Sequence, residues 1–133
     1  MRSRPATELL QLPVQLHGIR LGRPVDLLLD SAEWRALGFV VLCGDESSRF
    51  LVFAAADLGE DAIEVSSALL LLEDVEFYRD RSRSLRDLLG GELRDLLLTP
   101  DGSVEALVIE QDGDTQEVRP VGVWVESERV STA

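Results

Sequence analysis

The stretch "PVDLLLD" (residues 24–30) and the later stretch "LRDLLLT" (residues 93–99) say nearly the same thing within a chain of 133 residues. Each reads as a short strand, an aspartate followed by a leucine triplet and then a turn residue. Working outward, an offset of 69 carries Gly22 to Gly91, Asp26 to Asp95, and Leu27, Leu28 and Leu29 to Leu96, Leu97 and Leu98. The same offset carries Gly44 and Asp45 to Gly113 and Asp114, while an offset of 70 carries Ala36 and Leu37 to Ala106 and Leu107. Leucine triplets recur by chance in a leucine-rich chain, so the weight lies on the ordered series of glycine, strand, turn, strand, glycine turn, strand. The chain reads as two copies of one supersecondary unit, with Leu28 and Leu97 pointing to equivalent sides of equivalent strands.

The period identifies the unit. "SVEALVIEQ" (residues 103–111) alternates Val104, Ala106 and Val108 with Glu105, Leu107 and Ile109, and "RPVGVWVES" (residues 119–127) places Val121, Val123 and Val125 on one face. Asp112-Gly113 between them is a hairpin signal, and "TPDGS" (residues 99–103) supplies a turn with Gly102 free to take positive φ. The second copy is therefore expected as a meander over 92–98, 104–110 and 117–125. The first is expected over 25–29, 36–43 and 49–55, with "DSAEWRA" as its longer turn, "CGDESSR" as its hairpin loop and a short extra strand at 62–65. A short helix is expected within 76–89. The expected division is an N-terminal arm (1–12), a first repeat with its connecting segment (13–82) and a second repeat (83–133).

Composition limits the function. A chain that is 45% hydrophobic supports one compact domain or two very small ones sharing a core. The apolar runs "ALLLL" and "FLVFAAA" are far below the roughly 18 residues a bilayer requires, so no membrane insertion is expected, and the chain reads as cytoplasmic. The single Cys43 has no disulfide partner, and no Cys/His spacing suits zinc. The net charge of −12, with every one of the 13 basic residues an arginine, disfavours direct nucleic-acid binding and favours a protein partner with a basic surface.

"LLGGELRDLLLTPDGSVEALVIEQDGDTQEVRPV" (residues 88–121) resembles the PRC-barrel family, as does "RLGRPVDLLLDSAEWRALGFVVLCGDESSRFLVF" (residues 20–53) more loosely. That family is named for the photosynthetic reaction-centre H subunit and also occurs in the ribosome maturation factor RimM. The resemblance implies an all-β fold with minor helix, as two tandem small, strongly bent barrels packed together. It also implies a protein-interaction or assembly role with no catalytic residue to carry over. A RimM-like role in ribosome assembly, contacting a basic ribosomal protein, is the nearest alternative.

The residue chemistry points the same way. No cofactor, metal or catalytic site is expected: the only histidine, His17, precedes the first repeat, and there is no Gly-x-Ser-x-Gly elbow, P-loop or dinucleotide fingerprint. Asp26 and Asp95, equivalent under the repeat, leave a second alternative, a small carboxylate enzyme, if they share a cleft. The plainer account is a polar residue that marks the solvent face or caps a neighbouring turn. For partner binding the candidates are Arg79, Arg81, Arg83 and Arg86, crowded in "YRDRSRSLRD", and the aromatic Trp124. Short barrels have edges to cover, which leaves room for a homodimer.

Overall fold

The structure, a computed structural model, describes residues 3–120. The chain begins with β1 (Arg4–Pro5), helix α1 (Ala6–Leu9), β2 (Val14–Leu16), β3 (Ile19–Asp30), β4 (Ala36–Cys43) and β5 (Ser48–Val52). Short elements follow: β6 (Asp57–Leu58), β7 (Ile63–Glu64), β8 (Leu71–Leu72), α2 (Val75–Arg79), β9 (Ser82–Ser84) and α3 (Leu85–Leu88). A second group closes the described chain: β10 (Leu93–Leu98), β11 (Val104–Gln111) and β12 (Asp114–Val118). The fold is all-β with minor helix. One sheet runs β6-β7-β2-β3-β4-β5-β8 with β9 added to β3, and the other runs β1-β10-β11-β12. Among the described residues no helix is long and apolar enough to cross a membrane.

Both expected meanders are present, and their pairing coincides residue by residue. In the first, Pro24 faces Val41, Asp26 faces Val40, Leu28 faces Gly38 and Leu29 faces Ala36. In the second, Leu93 faces Ile109, Asp95 faces Val108, Leu97 faces Ala106 and Leu98 faces Val104. Each meander skips two residues at the same places, Val25 and Leu37 in one and Arg94 and Glu105 in the other. These skips are β-bulges, which bend and twist the strands. They also correct the expected faces of β11. With Glu105 skipped, Val104 joins Leu107 and Ile109 in the core, and Val108 turns outward to half-burial. The expected offset of 70 at Ala36 is corrected too. The turn after Leu98 is one residue shorter than the turn after Leu29, so Ala36 corresponds to Val104 and Gly38 to Ala106. The expected third strand at 117–125 begins earlier, because the Asp112-Gly113 turn, at φ 52° and 85°, closes directly on Asp114. Residues 121–125 lie outside the described residues.

The two meanders meet through a self-complementary contact. Arg35 bridges Ser103, its own counterpart. Around that bridge Ala36 N–H donates to the Gly102 carbonyl at 2.7 Å, and Val104 N–H donates to the Trp34 carbonyl at 3.1 Å. Each bond is the other's image, the pattern of an isologous interface within one chain.

A second exchange passes through short straps. "RPATELL" (residues 4–10) lies on the second meander, with Arg4 opposite Leu98 and Pro5 opposite Leu97. "RSLRDLL" (residues 83–89) lies on the first, with Arg83 opposite Leu29 and Ser84 opposite Leu28. Each strap enters a single helical turn, α1 or α3, so each meander is covered by the strap that precedes the other one. Ala6, Leu9 and Leu12 are buried accordingly, and the segment expected as an N-terminal arm is, where described, part of the packing. One cluster joins Leu27, Leu29, Phe39 and Leu51 with Leu96, Leu98, Leu107 and Ile109. The two meanders share a core, as two units of this size need.

Candidate interaction surface

The two equivalent aspartates perform equivalent tasks. Asp26 Oδ1 accepts from Leu27 N–H at 2.8 Å and from Arg86 N–H at 3.1 Å, and its Oδ2 accepts from the Ser84 hydroxyl. Asp95 Oδ1 accepts from Leu96 N–H at 2.8 Å and from Thr7 N–H at 3.1 Å, and its Oδ2 accepts from the Thr7 hydroxyl at 2.5 Å. Each carboxylate thus fixes the bulge on its own strand and binds free N–H groups at the start of the helical turn laid across it. The two carboxylates serve separate straps. Asp26 is buried rather than solvent-facing, at 5% exposure.

The arginine cluster is dispersed by its local partners. Arg79 pairs with Glu76 at 3.6 Å, Arg81 stacks over the Phe77 ring at 3.9 Å, and Arg86 donates to the Val25 carbonyl at 3.2 Å. Arg83 is half-buried on β9, against Leu29. Trp124 lies outside the described residues. His17 sits exposed in the β2–β3 turn at φ 50°. Cys43 lines a shallow groove with Leu21, Gly22, Leu42 and Gly44. Its burial pushes the thiol pKa up, with Arg49 opposing that shift. Among the described residues no group of three His, Cys, Asp or Glu side chains is placed to hold a metal ion.

The informative difference lies on the outward faces of the meanders. In the first, Leu28, Val40 and Phe50 form a second apolar cluster with Val75, against which Val25, Leu37, Val52, Leu72 and Tyr78 pack. Helix α2 closes it, with the Tyr78 ring stacked on Phe50 at 3.9 Å between centroids. By register the second meander has Arg94 for Val25, Glu105 for Leu37, Glu117 for Phe50 and Arg119 for Val52. All four are exposed. Arg94 is paired with Glu110 at 2.9 Å. Glu105 accepts from the Ser3 hydroxyl, and it forms no ion pair with a described residue, nor do Asp112, Asp114 and Glu117. Among the described residues no element covers this face, which carries charges of both signs, and the hairpin β11–β12 that ends it is rich in acids: Glu105, Glu110, Asp112, Asp114 and Glu117. It could be found in the sequence only by comparing the copies in the bulged register.

No protein-family model and no curated protein matches the chain.

Proposed function

We propose that this protein is a non-enzymatic interaction module, built from two PRC-barrel-like repeats, whose second repeat presents its acid-rich hairpin β11–β12 to a basic segment of a protein partner. The carrying observation is the asymmetry: two meanders with one register, one closed by α2 over Phe50, the other covered by no described element and carrying Glu117 at that place. The shared register and the reciprocal Arg35–Ser103 contact support the repeat reading, and the −12 charge supports a basic partner. Attraction of this kind speeds association and weakens with salt, as the Debye length falls to about 8 Å at physiological ionic strength.

The test compares the native chain with a variant carrying Glu105→Gln, Asp114→Asn and Glu117→Gln. Both are immobilised and exposed to cytosol at low and at physiological salt, and to a labelled RNA and a duplex DNA. The native chain should retain basic proteins more strongly at low salt, and the variant should lose them. Equal retention by both, or nuclease-sensitive binding of RNA to the purified chain, would overturn the reading. The RNA result would favour the RimM-like role, with Arg79, Arg81, Arg83 and Arg86 as the residues to mutate.

A further inference from the structure

The edge of the second sheet says how such a segment would be held. β12 pairs with β11 on one side, and among the described residues no strand pairs with its other side. Its counterpart β5 is covered at that edge by β8, which runs antiparallel with Phe50 opposite Leu72 and Leu51 opposite Leu71. The repeat therefore contains its own example of the edge when filled.

Backbone alternation fixes which groups are available. The two-residue turn sets Gln111 opposite Asp114 as a hydrogen-bonded pair, so bonded positions towards β11 recur at Gln116 and Val118. The N–H and C=O groups of Thr115 and Glu117 point the other way. Glu117 stands at the position of Phe50, the residue that β8 meets in the first meander. Side chains alternate with the backbone, so those of Thr115 and Glu117 share the outward face, while Val118 packs against the core. Asp112 and Asp114 lie at the turn end of the hairpin, both exposed.

We propose that the outer edge of β12 takes up an extended, basic segment of a partner protein as an added antiparallel strand. Thr115 and Glu117 offer it backbone hydrogen bonds, Glu117 meets its cations on the outward face, and Asp112 and Asp114 add negative charge at the turn. This rests on the acidic-surface reading above and names the manner of binding. A second copy of this chain is disfavoured by the net charge of −12 that each copy carries, and setting Glu117 opposite Glu117 would oppose like charges. Like charges across a strand pair destabilise it. Acidic side chains on an open edge thus reject self-pairing and accept a basic strand.

The experiment uses the full chain, 15N-labelled, and a synthetic heptapeptide alternating arginine and valine. The expected result is saturable, salt-weakened binding, with exchange of the Thr115 and Glu117 amides slowed on binding. N-methylation of the peptide at the positions facing β12 should weaken binding about tenfold, the loss of one or two backbone hydrogen bonds. Four results overturn the proposal. Thr115 and Glu117 amides already protected in the dilute free chain would mean that the edge is covered. Protection that rises with protein concentration alone would assign the edge to a second copy. Salt-weakened peptide binding without protection at these amides, or unaffected by N-methylation, would leave the acidic-surface reading standing and remove strand addition. Absence of any salt-weakened binding removes both.

Discussion

Replacing Asp26 by alanine tests the logic that ties the two halves together. Asp26 is the one charged side chain in the buried class among the described residues, and it accepts from two backbone N–H groups and a hydroxyl. Alanine leaves the N–H groups of Leu27 and Arg86 without an acceptor beside apolar neighbours. Each of the three orphaned donors, these two N–H groups and the Ser84 hydroxyl, costs about 1 kcal/mol. The sum is about 3 kcal/mol, which for a chain of this size lowers Tm by about 10 °C. Asp95→Ala removes the same pattern at a half-exposed site where water can replace the acceptor, so about 2 kcal/mol and about 6 °C are expected. Asp26→Asn retains an acceptor and should fall between the native chain and Asp26→Ala. Thermal unfolding followed by circular dichroism gives the order, and amide exchange gives the place. Asp26→Ala should speed exchange at Arg86 and leave Thr7 slow; Asp95→Ala should do the reverse. A Tm within about 2 °C of native for Asp26→Ala, or loss of protection at both straps in either variant, would refute the capping account.

Gly38→Ala should destabilise by about 2–3 kcal/mol, because a Cβ there runs into the Leu51 carbonyl and the Phe50 ring; Ala106→Gly, at the matching site, should cost only about 1 kcal/mol, and equal urea midpoints for the two variants would contradict the register assignment. Cys43, its pKa raised by burial, should react with a disulfide reagent more slowly than a free small thiol at pH 8, with the rate still climbing above pH 9; faster reaction than the small thiol would show an activated thiolate instead. The fragment 84–133 lacks β1 and α1, which cover β10, and should be unfolded or self-associated; a dispersed monomeric NMR spectrum would show that the second repeat stands alone.

Period-two alternation made both meanders legible, and the Asp-Gly turn marked the second, since those signals are local and hold wherever the strand is regular. What stayed hidden depended on irregularity or on distance. A skipped residue reverses every side chain beyond it, so the alternation in residues 103–111 gave the wrong partner for Val104 once Glu105 was bulged out. The straps share only an arginine, an acid and a leucine pair, a pattern that a leucine-rich chain does not advertise, and their exchange is a tertiary choice. Asp26 and Asp95 were recognisable as equivalent, and as caps for a nearby turn. The turn that each serves is remote in sequence, at residues 84–86 and at Thr7. The arginine cluster drew attention through its spacing alone, whereas its side chains answer to Glu76, Phe77 and the Val25 carbonyl.

The division between inner and outer faces separates the residues that hold the fold from those that can change without endangering it. Inward positions of both meanders join a single cluster, so a change at Leu29 or Leu98 is felt by the whole core. Outward positions of the first meander are committed to α2, where Phe50, Tyr78 and Val75 exclude water. Outward positions of the second are not covered by any described helix, and their contacts, such as Arg94 with Glu110 and Glu105 with Ser3, lie at the surface. Exposed residues of that kind usually alter stability by no more than about 0.5 kcal/mol when substituted. Glu105, Asp114 and Glu117 are all exposed, so a variant that neutralises them changes the surface while leaving the core intact. Loss of binding in that variant would report on contact with the partner, whereas the same loss in Asp26→Ala would report on the straps.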